Sequence, residues 1–171
     1  MGTFSRASAS ASCSALSKTA QSAAAKIETV LSSGDVGDDA LRKQLSVMSA
    51  RLELFRHHAE QLGRCIADAP VVHPELGNNL TWTLADSSNA LGSIADTLAP
   101  GSGGLDRGAL SLFENLVAAC SRFFVLGSQL LIMETEQEQH SKLVDPGASS
   151  IVAAANVACH TALAFNYATE N

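Results

Sequence analysis

The side chains best suited to metal or acid–base chemistry are His57, His58 and Cys65 in one segment and the adjacent Cys159 and His160 in another. Together they would make a Cys/His set. Zinc sites, however, draw pairs such as C-x2-C or H-x3-H from a single element, and no pair here has that form, so no metal site is expected. Cys120 falls in register with an apolar stripe and Cys65 lies on the edge of one beside Ile66; there a thiol behaves as a small hydrophobe. The acidic run Glu134-Thr-Glu-Gln-Glu-Gln-His140 invites comparison with di-iron bundles. Those need Glu-x-x-His, and Gln137 occupies the position three before His140. Three glutamates near a helix end, where the helix dipole disfavours anions, read as a solvated tail.

Nucleophilic and phosphate chemistry are equally poorly supported. The chain has 21 serines and five histidines, but no G-x-S-x-G elbow. Gly101-Ser-Gly-Gly104 is followed by Leu105 where a phosphate loop needs lysine, and it reads as a hinge. No catalytic residue and no cofactor is therefore assigned. The formal net charge is −6, and the basic residues Arg42, Lys43, Arg51, Arg56 and Arg64 alternate with Glu53, Glu60 and Asp68. That pattern is a solvated helical face with local pairs, not a phosphate-binding surface, so nucleic acid is not expected as a partner. The four cysteines are far apart and no leader-like apolar core opens the chain, which favours a reduced, cytoplasmic setting.

These residues must be positioned by helices. Ala (28) and Leu (21) dominate the apolar content, an inventory that favours helix over sheet. All four prolines (70, 74, 100, 146) lie in joints with glycines or capping residues, and the joints divide the chain into five segments. In the second, Leu41, Leu45, Met48, Leu52, Phe55, Ala59, Leu62 and Ile66 recur in a 4-3 repeat, predicting a helix from about Asp39 to Asp68. The third repeats the spacing from Leu80 to Leu98, and Trp82 near its start is either a binding anchor or a lid on one end of the core. The first does so through Leu16, Ala20, Ala23, Ile27 and Val30. The fourth, about Leu105 to His140, is apolar nearly all round and is expected to be the central helix. Its interruptions at Glu114, Arg122 and Gln129 leave no unbroken bilayer span. The fifth presents Ile151, Ala155, Ala158, Ala162 and Phe165. The predicted fold is all-α, an antiparallel up-and-down bundle of about five helices. Residues 1–13 are expected to form a Ser/Ala-rich N-terminal segment before a single domain over 14–168.

The Ala/Ser-rich first helix (Ser14 to Ser33), the long helix containing Leu41-Arg-Lys-Gln-Leu-Ser-Val-Met-Ser-Ala-Arg-Leu-Glu-Leu-Phe55, and the Leu80-x3-Leu-x6-Leu-x2-Ile-x3-Leu98 segment resemble the N-terminal helical domain of fungal signalling proteins of the STAND and HeLo-like class. The resemblance spans roughly residues 10 to 100. It implies an effector domain that acts by helix-mediated association. Membrane-active members of that class open with an apolar N-terminal helix, whereas Met1 to Ser14 here is polar, so membrane association is not expected. No functional residue carries over from the resemblance.

Two functions fit this sequence. One is a protein–protein interaction or oligomerisation module that binds itself or a partner helix through Val47, Leu54, His58 and Trp82, since spare apolar surface marks interfaces. The other is a small helical enzyme or carrier with an apolar ligand in a pocket lined by Phe113, Cys120, Phe123 and Phe124.

Overall fold

The structure, a computed structural model, describes residues 4–34, 36–98 and 107–141. They form four helices: α1 (Arg6–Ser33), α2 (Asp39–Asp68), α3 (Pro74–Thr97) and α4 (Arg107–Ser141). The protein is all-α. The expected count of about five becomes four among the described residues, and the fifth segment, Ile151 to Phe165, lies outside them.

Local chemistry sets the helix ends. Ser5 caps α1 by accepting the Ser8 N–H, Asp38 caps α2 by accepting the Ala40 N–H at 2.9 Å, and Pro74 occupies the first turn of α3, where its missing N–H costs nothing. Gly34 closes α1 with φ +75°, a left-handed position that favours glycine. Two of these signals move predicted boundaries. Residues 6–13, expected as part of an N-terminal segment, are the first turns of α1, with Ala9 and Cys13 buried in the core. Trp82 stands in the third turn of α3 instead of near its start, because Pro74 begins that helix.

Cross-helix contacts fix the directions. Ser17 Oγ donates to Glu60 Oε1 and Ser49 Oγ to Glu28 Oε1, each at 2.8 Å, so α1 and α2 are antiparallel. The His73 N–H donates to Glu134 Oε2, and Leu80 packs over Gly127, so α3 and α4 are antiparallel. α2 and α4, in contrast, run parallel, with Arg51 on Glu114 and His58 on Ser121. Among the described helices, each therefore has two neighbours. α1 packs on α2 and α3, and α4 packs on α2 and α3, while α1/α4 and α2/α3 sit across the diagonals. The chain alternates up and down, as predicted, yet the α2–α3 link crosses a diagonal and brings same-direction helices side by side.

The core runs the length of the bundle through Ile27, Leu45, Met48, Leu52, Phe55, Leu62, Leu80, Leu91, Ile94 and Phe124. Phe55 and Phe124 pack with ring centroids 5.1 Å apart; each such fully buried side chain contributes on the order of 1.5–3 kcal/mol. α1 meets α2 through small residues, and a Cβ at Gly63 would stand 3.0 Å from Cys13 Cβ.

The predicted place of α4 at the centre of five helices depends on the fifth segment, which lies outside the described residues. Among the described helices α4 occupies a corner, packed on α2 and α3; it carries more apolar residues than these two contacts cover, and Leu112, Leu126, Ile132 and Met133 are exposed. Its span Arg107–Glu138 is also long and apolar enough to cross a membrane, which revises the expectation that no segment is. Arg122, the only charge between Leu116 and Met133, is too little to break the span, and over half of its most apolar stretch is buried in the bundle, as in a core helix.

The close α1/α2 approach predicts opposite outcomes at two glycines. Gly63→Val should cost about 1–3 kcal/mol by forcing the helices apart. Gly92→Ala, in a helix interior with nothing within 4 Å of the added carbon, should gain about 0.5–1 kcal/mol. Urea unfolding monitored by circular dichroism reads both.

Candidate functional site: the α2–α4 seam

Along the parallel seam, polar residues recur every seven positions on each helix. The Gln44 amide donates to the Arg107 carbonyl at 3.1 Å and to Ser111 Oγ at 2.8 Å. One heptad on, Arg51 Nε meets Glu114 Oε1 at 3.0 Å. His58 Nδ1 hydrogen-bonds Ser121 Oγ, and Cys65 lies in hydrogen-bond reach of Ser128. Apart from the Gln44–Ser111 bond, which spans 67 residues, each of these rungs joins residues 63 apart, which is nine heptads. This is the register in which flanking positions of two parallel helices face each other across a coiled-coil seam.

The rungs are electrostatically modest but geometrically specific. Arg51–Glu114 is partly exposed, an ion pair worth about 0–1 kcal/mol. Desolvation and the neighbouring His57 charge hold His58 below the ordinary histidine pKa, so the neutral ring is favoured in the folded state. Burial raises the Cys65 thiol, a rise opposed by Ser128. Burial also pushes the Cys13 thiol, in the α1/α2 contact, up to about 12, which removes its nucleophilic form at neutral pH. At the far end of the seam, burial raises Glu134, against the His73 N–H that favours its ionised form. His73 Nδ1 and Glu134 Oε1 are buried without hydrogen-bond partners.

The structure separates the residues expected to make one interface. Val47 and Leu54, 44% and 53% exposed, flank the ladder on the outer side of α2, each within four residues of two rungs. His58 is turned into the seam and bonded to α4. Trp82 is 49% exposed but on α3, diagonal to α2, so it belongs to a different face. The expected pocket residues are core packing: Phe124, Cys120 and Phe123 are buried, Phe113 is half-buried, and Phe124 contacts both Phe55 and Phe123. Open grooves among the described residues lie elsewhere. One of about 340 Å³ between α1 and α3 is lined by Ser5, Ser8, Ser12 and Ser88, one of about 500 Å³ lies between α1 and α2, and one of about 180 Å³ lies where α2 and α4 end. The four expected pocket residues line none of these three.

Chemically, the seam offers a Ser121–His58 pair, but Ser121 is 6% exposed and lines none of those grooves, so the pair acts as a strut. No group of three or more His, Cys, Asp or Glu side chains among the described residues could hold a metal ion; Cys159 and His160 lie outside them. Sequence reasoning missed the ladder and the exposed Ile132 on α4. The available signal was the seven-residue recurrence of Gln44, Arg51, His58 and Cys65 beside the leucine stripe.

Because the folded-state pKa of His58 lies below its unfolded value near 6.5, the unfolded chain binds more protons as pH falls through that value. Stability is therefore complete above it and declines as pH drops toward the folded pKa. His58→Gln should flatten this decline below about pH 6.5, read from urea midpoints at each pH. Comparison with known proteins finds no matching family model, curated protein or solved structure.

Proposed function

We propose that this protein is a helical interaction module, working through surface contact between helices. The observation that carries this reading is the apolar strip flanking the α2–α4 ladder. Leu54 and Val47 on α2 and Ile132 on α4 are each between 44% and 53% exposed, on helices whose inner faces are already filled. Large aliphatic side chains lined up beside ordered polar rungs are a common design of binding surfaces, with an apolar centre and a polar surround. The described grooves are open and lined largely by serine, alanine and charged residues, which favours a surface role over a ligand-carrying one. An effector role like that of the fungal STAND and HeLo-like helical domains agrees with this reading and belongs to the same proposal, as does a fifth helix completing the bundle.

Replacing Leu54 by a photo-crosslinking phenylalanine analogue in the cells that make the protein should yield covalent adducts on irradiation. The same replacement at the exposed Ser22 of α1 should yield none. Adducts from neither position, or equally from both, would overturn the reading.

A further inference from the structure

We propose that the outer face of the α2–α4 seam binds a second copy of this chain, with the two seams reversed end for end. The inference rests on the association reading above and adds the partner and its orientation.

The charge distribution selects the orientation. Because α2 and α4 run parallel, both N-termini lie at one end of the seam and both C-termini at the other. Arg42, Lys43 and Arg107 are exposed at the first end, outnumbering Asp38 and Asp39 where α2 begins, and Asp68 and Glu136 are exposed at the second. The helix dipoles add in the same sense, positive at the N-terminal end and negative at the C-terminal end. Arg64 and Arg122 lie between these ends, on the flanks of the strip. A second copy laid on in the same direction would set like charges together. A reversed copy sets Lys43 and Arg107 of each chain against Asp68 and Glu136 of the other, and two-fold symmetry makes the contact twice.

Shape and area agree with this pairing. The groove where α2 and α4 end is rimmed by Asp68 and Glu136 and walled by Ile132. The reversed copy brings its Lys43 and Val47 to this groove, the ammonium toward the carboxylates and the valine toward Ile132, while the Leu54 side chains lie nearer the two-fold axis. From Lys43 to Asp68 the strip is about 38 Å long at 1.5 Å per residue, and two helices side by side are about 20 Å wide. The resulting face of about 760 Å² per copy approaches the roughly 800 Å² per partner of a stable interface.

Sedimentation equilibrium on the full chain tests the proposal, with circular dichroism checking that each variant folds. The wild-type chain should dimerise with concentration. Leu54→Glu should weaken the dimer about tenfold or more, and salt sufficient to shorten the Debye length to about 3 Å should weaken it as well. A chain with Lys43→Glu and Arg107→Glu should be monomeric, as should one with Asp68→Lys and Glu136→Lys, and mixing the two should restore a one-to-one dimer. A dimer indifferent to these changes, or one strengthened by salt, would overturn the proposal. A wild-type monomer whose position 54 crosslinks to a different protein would overturn the second copy and leave the association reading standing. A monomer with no crosslinks would overturn both.

Discussion

Two helices lying side by side in the same direction bring like ends of their dipoles together, which opposes their contact. The described helices include two such pairs, and α2/α4 is held by rungs that recur with each heptad. Gln44, Arg51, His58 and Cys65 each find a partner 63 residues away, so a slip of one residue along the seam would break every rung at once. A slip would also pull Phe55 off Phe124 and lift Leu62 and Leu80 from Gly127, where α2, α3 and α4 meet. The ladder contributes little energy per rung. Its effect is to fix register, and register decides which apolar residues enter the core and which, like Leu54 and Ile132, remain outside.

The second parallel pair, α1/α3, is managed differently. Its shared groove is lined mainly by serine, threonine and alanine, and no charge pairs are needed there, because α1 also has its extensive antiparallel contact with α2. Ser17 and Ser49 supply the donors that keep Glu60 and Glu28 beside that contact. Small side chains let α1 approach α2 at Gly63, so a helix of modest hydrophobicity still buries Ala9, Cys13, Ala20 and Ile27.

Much of this was legible in the sequence. α2 was read to within a residue at each end, because Asp38 is a strong cap and the 4-3 leucine repeat runs to Ile66. The start of α1 was not, since a Ser/Ala-rich stretch has the composition of a tail and only its partner helix makes Ala9 and Cys13 core residues. The all-round apolarity of α4 is plain in its composition, but composition does not say which of its faces the other helices cover. At the candidate site, Val47 and Leu54 were legible as a second stripe on α2. The rungs were not, because charged and polar residues at heptad spacing look solvated until it is known that α2 and α4 run side by side in the same direction.

The link that crosses the diagonal between α2 and α3 shapes how the chain can assemble. In a bundle where each helix packs on the one before it, closure proceeds by successive short loops. Here only α1/α2 and α3/α4 can form as local hairpins, and the two must then be mated through contacts distant in sequence, including Arg51 on Glu114 and Phe4 against Gly77. The chain-closure entropy of that mating step falls late, after both hairpins exist. The rows that match hairpin to hairpin are those of the parallel pairs, so the contacts that determine register are also the last to be made.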